Sequence, residues 1–295
     1  MNPRDRIPAP AGRPPGLSSL WRSLSARNPH HLLMAALCAA GFGVVAAKHL
    51  GNGATPAEAL GPAFNLAVLL FLGWAIAREI DPDHSWSAYP ALALTAAIVG
   101  VAGATPAGAM VAMLFALRLV IRSTGQAPTP LDLLFLTLLA GGVAGMPRGW
   151  IGGAAAAAAM AWDTRLPSPG ARRNVFAAAV AFVASLAVAG TTGNLRIGFV
   201  EPGPFEWVTA GAGVLAFALL RTYKPTSVED RGRSTINSER LVAGRRLTLA
   251  TGAVAFVLFG ASAVPLLSAV WAALTAVWLH DTLLVRRVSG RQTSE

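Results

Sequence analysis

Cysteine occurs once in this chain of 295 residues, tyrosine twice, and charged residues fill only 13% of it. Each scarcity excludes something. A lone Cys38, inside the first apolar run, leaves no intrachain disulfide and no cysteine metal cluster. Soluble domains carry roughly 25% charged residues. About half that share, with apolar runs from Leu32 to Leu279 and a mean hydropathy of +0.53, points to lipid as the main solvent. The chain has room for one membrane domain and no large soluble one.

Catalytic signatures are missing too. There is no G-x-x-x-x-G-K-[ST], hence no P-loop and no sign of an ATP motor, and no H-E-x-x-H, C-x-x-C or G-x-S-x-G. "GFGVVA" at 41–46 fits a loose dinucleotide pattern, but it lies inside an apolar run, where it reads as a packing face. All five histidines, His30, His31, His49, His84 and His280, lie at or beyond segment ends, so none is placed for a mid-membrane proton relay.

What is present is a succession of ten apolar segments, near 32–47, 60–77, 89–104, 107–121, 131–146, 150–162, 174–190, 207–220, 247–263 and 265–279. With the N-terminus in the cytoplasm, 21 of the 24 Lys and Arg fall on the cytoplasmic side, and the other side keeps Lys48, Arg148 and Arg196. The sequence therefore predicts an all-α integral membrane protein. It would be a polytopic bundle of about ten transmembrane segments with both termini cytoplasmic, in an inner membrane of bacterial type. The pI of 11.4 is then a property of one face. That face would attract anionic lipid headgroups rather than nucleic acid. Oligomeric state is not legible.

Three stretches, 89–121, 131–162 and 247–279, each fit two segments into 32 or 33 residues. Two full crossings want roughly 40 residues, so short spans and re-entrant hairpins both remain open. "GMPRGW" at 145–150 favours crossing, because Arg148 at mid-membrane would cost at least ~2.5 kcal/mol. Runs such as "GGAAAAAAMAW" predict close helix approach. The expected organisation is a basic, disordered cytoplasmic tail (1–31), a retained signal anchor opening a membrane domain of about eight helices (32–220), a basic cytoplasmic linker (221–246), a C-terminal helical hairpin (247–279) and a cytoplasmic tail (280–295).

The best site candidate is "AREIDPDHSWSAYP" at 77–90, where Glu79, Asp81, Asp83 and His84 crowd the cytoplasmic end of the second segment. Carboxylates two apart around Pro82, beside a histidine, could hold Mg²⁺ or Mn²⁺ through oxygen ligands. The plainer reading is a turn: Pro82 stops one helix, Asp83, Ser85 or Ser87 caps the next, Arg78 neutralises an acid, and Trp86 and Tyr89 anchor the interface. Asn65 is the most central strongly polar side chain and the candidate for a substrate path. Arg118 is expected to snorkel, Asp132 to sit on the positive end of a helix dipole, and Asp163 and Asp281 to stand alone.

Three readings follow. The first is a small-solute permease without an ATP motor, resting on helix count and on Gly/Pro-broken hairpins such as "VGVAGATPAGAM" at 99–110. The second is a membrane enzyme acting on a lipid-phosphate headgroup, with Asp81 and Asp83 holding a metal. The third is a non-catalytic assembly subunit whose basic loop docks a partner or anionic lipid.

Overall fold

The computed structural model describes residues 18–21, 24–167, 172–220, 225–229 and 235–280. Its elements are α1 (Pro29–Gly51), α2 (Pro56–Ile80), α3 (Ala88–Ala102), α4 (Gly108–Ile121), α5 (Pro130–Ala144), α6 (Trp150–Asp163), α7 (Arg173–Thr191), α8 (Pro204–Leu220), α9 (Ser238–Phe259), α10 (Ala263–Leu266) and α11 (Ser268–His280). A 3-10 turn, Ser85–Ser87, leads into α3. Among the described residues there is no β-strand, only isolated bridges between Val200 and Gly260 and between Val228 and Thr235.

Local chemistry explains where the helices start. Pro29, Pro56, Pro130 and Pro204 each stand first in a helix, where the missing N–H costs nothing and φ is already helical. Thr55 with Glu58 and Thr129 with Asp132 form reciprocal capping boxes. Asn28 and Asn237 accept from the first turns of α1 and α9. The chain α2 leaves at Asp81, one residue before Pro82, as expected from the ring's clash with a continuing helix.

Among the described residues the fold is all-helical, and five helices are long and apolar enough to cross a membrane: α1, α2, the Ser85–Ala102 unit, α7 and α9. The apolar helices α4, α5 and α11 are shorter. Each of the ten apolar segments is helical, the tenth being broken at Leu267 between α10 and α11.

Two boundaries are corrected. Ser238–Arg246 belong to the first turns of α9 rather than to a linker, since Arg240, Leu241, Ala243, Gly244 and Arg245 are buried there. In the segment expected to be a free tail, Ser19 and Leu20 are buried, with Ser18 and both Ser19 donors on Asp132. Residues 1–17, 221–224, 230–234 and 281–295, with Asp281 among them, lie outside the described residues.

The helices form two groups. One is α1, α2, α3, α8 and α11; the other is α4, α5, α6, α7 and α9, joined to the first chiefly through α4 and α9. Helix α4 is central, with every residue from Ala112 to Ile121 buried. Close approach depends on glycine: a Cβ at Gly152 of α6 would lie 2.6 Å from Ala109 Cα on α4. Trp271 of α11 lies over Gly213 and Gly252, where a Cβ would come within 2.8 and 3.1 Å of its ring. Such packing is what holds helices together in lipid.

The described chain begins and ends at the same end of the bundle: Arg118 donates to Leu20 O at 3.0 Å, and the His280 ring lies 4.8 Å from that of His84. The turn 81–87 is at this end as well. At the opposite end the loops bond to one another. Thr105 Oγ1 donates to Pro265 O at 2.8 Å, Val200 N to Phe259 O at 3.2 Å, and Asn194 Nδ2 to Gly145 O at 2.6 Å. The α3–α4 tip meets α2 at Asn65, about 22 Å along α2 from Ile80, and α2 continues about 14 Å further.

Candidate functional site at the charged end

The acidic turn does not converge as a unit. Glu79 points inward, its side chain 1% exposed, and accepts from Arg118 Nε at 3.0 Å. Asp83 points the other way, accepting from Thr226 N at 2.8 Å, Thr226 Oγ1 at 3.0 Å and Ser227 N at 2.6 Å. Partial burial opposes ionisation of Asp83, but the donors of Ser227 and Thr226 outweigh it and hold the carboxyl below its ordinary 3.8. Arg78 donates to Ser85 Oγ and lies 5.9 Å from the centre of the Trp74 ring. Of the four candidates, Asp81 and His84 meet, at 2.9 Å. Their third neighbour is His280, from the far end of the chain, and the ligand atoms of all three lie within 4.8 Å of one another.

A buried ionic network adjoins this turn. Asp163, fully buried at the end of α6, accepts from Arg122 Nη2 through both oxygens at 2.9 Å, from Arg240 Nη1 at 2.7 Å and from Asn174 Nδ2 at 2.9 Å. It is the hub of four helices' ends, not an isolated acid. Arg118 does not snorkel: it is 8% exposed and turned to Glu79 and Leu20 O. Arg245 Nε donates to Ile80 O at 2.8 Å and fixes the end of α2. Asp132 does open α5, and it carries Thr129 together with Ser18 and Ser19. Sequence reasoning missed the network because its ion pairs lie 39 to 77 residues apart. The available signal was the coincidence of Arg118, Arg122 and Arg240 with Glu79 and Asp163 on one face.

Asn65 is occupied. Its Nδ2 donates to Thr105 O at 3.0 Å and its Oδ1 accepts from Ala107 N at 3.1 Å. The side chain thus closes the backbone of the 103–107 loop, leaving it poorly placed to line a path.

Between α2 and α4 lies a cavity of about 500 Å³, walled by Val68, Phe71 and Leu72 on one side and Val111, Leu114 and Phe115 on the other. The exposed Trp21 and Leu24 form its rim, and Arg118 stands at its end. A smaller cavity of about 20 Å³ shares Leu24 and Arg118 and adds His31, Arg78 and Glu79. The groove is therefore apolar along its length and charged, with an excess of cations, at one end. It is framed by two polar pins, Asn65 to Ala107 N at 3.1 Å and Glu79 to Arg118 at 3.0 Å.

Compared with known proteins, the chain matches no family model, no curated protein and no solved structure.

Proposed function

We infer that the chain is a ten-span membrane protein, both ends cytoplasmic, that binds an anionic membrane lipid in the α2–α4 cleft. The observation that carries this reading is the coincidence of an apolar groove with a cationic end on the face where the sequence concentrates its basic residues. A volume of about 500 Å³ falls in the range of small-molecule sites, roughly 300–1,000 Å³. The apolar walls suit acyl chain, and Arg78 with Arg118 and one opposing Glu79 leaves net positive charge for a phosphate. Solute passage loses support from Asn65, which is spent on backbone.

The test is lipid retention. Full-length protein, delipidated in detergent, is offered phosphatidylglycerol or phosphatidylcholine and examined by native mass spectrometry. Phosphatidylglycerol should be retained in preference, and both Leu114→Trp, which fills the groove, and Arg118→Gln should abolish the preference. Equal retention of both lipids by wild type and Leu114→Trp sinks the reading. Topology is tested separately in a Cys38→Ser background, where Arg148→Cys should label from outside intact cells. Labelling only after permeabilisation overturns the assignment of that tip to the outer side.

A further inference from the structure

We propose that Asp81, His84 and His280 form a binding site for a divalent transition metal of the zinc class. The three side chains come from the end of α2, the following turn and the last turn of α11. Asp81 and His84 are neighbours in sequence, but His280 is brought to them only by the fold, and the ligand atoms of all three lie within 4.8 Å of one another. Zinc–nitrogen and zinc–oxygen bonds of about 2.0–2.2 Å put neighbouring ligands about 3–3.5 Å apart around a tetrahedral ion. His84 Nδ1 and Asp81 Oδ1 are already 2.9 Å apart, and all three ligand atoms lie within 4.8 Å, close to the spacing that a tetrahedral ion requires.

The surrounding structure suits a site that must keep its shape. Arg245 ties Ile80 O at 2.8 Å, immediately before Asp81. Ser87 Oγ donates to His84 O at 2.7 Å, immediately after the turn. Asp83, between the two ligands, is clasped by Thr226 and Ser227. These bonds restrain the backbone on both flanks of the ligand pair.

The donor set also decides the metal class. Two imidazoles and one carboxylate favour zinc, iron or cobalt over magnesium, which prefers oxygen ligands in octahedral geometry. This departs from the all-oxygen Mg²⁺ or Mn²⁺ site suggested by the acidic turn alone, because Glu79 and Asp83 are engaged elsewhere. Three protein ligands leave a fourth position open for water or an anionic ligand. The inference does not depend on the lipid cleft.

The experiment is equilibrium dialysis of tag-free, full-length protein in detergent against Zn²⁺ and Co²⁺, with Mg²⁺ as competitor. Wild type should bind one Zn²⁺ per chain, undisturbed by excess Mg²⁺, and Co²⁺ should give visible ligand-field bands. His84→Ala and His280→Ala should each weaken binding by at least about tenfold, while His49→Ala should not. Should a variant fail to fold, diethylpyrocarbonate modification of the wild type replaces it: Zn²⁺ should protect His84 and His280 and leave His49 reactive. Absence of zinc binding by folded wild type, displacement by Mg²⁺, or equal reactivity of His84 and His280 with and without zinc overturns the proposal.

Discussion

Asp163→Asn tests whether the buried network holds the bundle together. The wild-type carboxylate has no exposure and serves two guanidiniums, Arg122 and Arg240, whose side chains are 10% and 4% exposed. Asparagine keeps one acceptor oxygen and loses the charge. Its amide nitrogen must also face a donor, since both oxygens now accept from cations. Breaking one buried ion pair costs roughly 3–5 kcal/mol because the surviving charge is left uncompensated. Here two cations depend on one anion, so the expected loss is at the upper part of that range, about 4–5 kcal/mol. Arg240→Gln is the informative contrast. It leaves Asp163 neutralised by Arg122 at 2.9 Å, while hydrogen bonds to Val120 O, Pro167 O and Asp163 are lost. It should cost less than Asp163→Asn. Unfolding by SDS titration of mixed micelles, followed by tryptophan fluorescence, measures both. Asp163→Asn within about 1 kcal/mol of wild type, or Arg240→Gln costing more than Asp163→Asn, refutes the hub.

Three further expectations use the same assay. Gly152→Ala drives a Cβ to 2.6 Å from Ala109 Cα, where backbone cannot yield, and should cost about 1–3 kcal/mol, whereas Gly100→Ala meets nothing within 4 Å and should be neutral or gain up to about 1 kcal/mol; equal effects would contradict the close α4–α6 crossing. Asn65→Leu strands Thr105 O and Ala107 N and should cost about 1–3 kcal/mol for each group left unpaired; wild-type stability with altered solute flux would restore the path reading. Asp83→Ala should cost up to about 1 kcal/mol near neutral pH. Because the folded-state carboxyl lies below its ordinary 3.8, that contribution is complete above the unfolded value and fades as pH falls through the folded one. A gap between wild type and variant that does not narrow in acid contradicts the clasp.

The cues for the helix starts are local, because proline and capping residues act within one turn, although hydropathy alone places the starts of α1, α2 and α8 three to four residues late, at 32, 60 and 207. Pro29, Pro56, Pro130 and Pro204, with the Thr55 and Thr129 caps, need no tertiary knowledge. The early start of α9 was harder to see, since "SERLVAGRR" is too polar for a hydropathy window, although Asn237 marks it. The partners of the charges were not legible at all. Hydropathy treats Arg118 as a helix-end cation free to reach the headgroups. Only the placement of α2 against α4 shows that Glu79 neutralises it. His280 joins Asp81 across 199 residues of chain, and no local rule reaches that far. In the acidic turn the residue types were right for a metal, but side-chain direction separated them, sending Glu79 inward and Asp83 to the 226–227 backbone.

The cleft and the network have a common physical origin. Van der Waals packing would ordinarily close two apolar helices on each other, as α4 and α6 are closed at Gly152. Between α2 and α4 the facing side chains are large, Phe71 and Leu72 against Leu114 and Phe115, and no glycine lets the backbones meet. The separation is fixed at both ends by polar bonds. Asn65 holds the start of α4 and Glu79 holds Arg118 near its end, fourteen residues apart on α2, about 21 Å. The two helices cannot close on each other there without breaking these bonds. The two helices therefore stand apart over their apolar middle, and the charge needed to pin one end is the same charge that would receive a headgroup there.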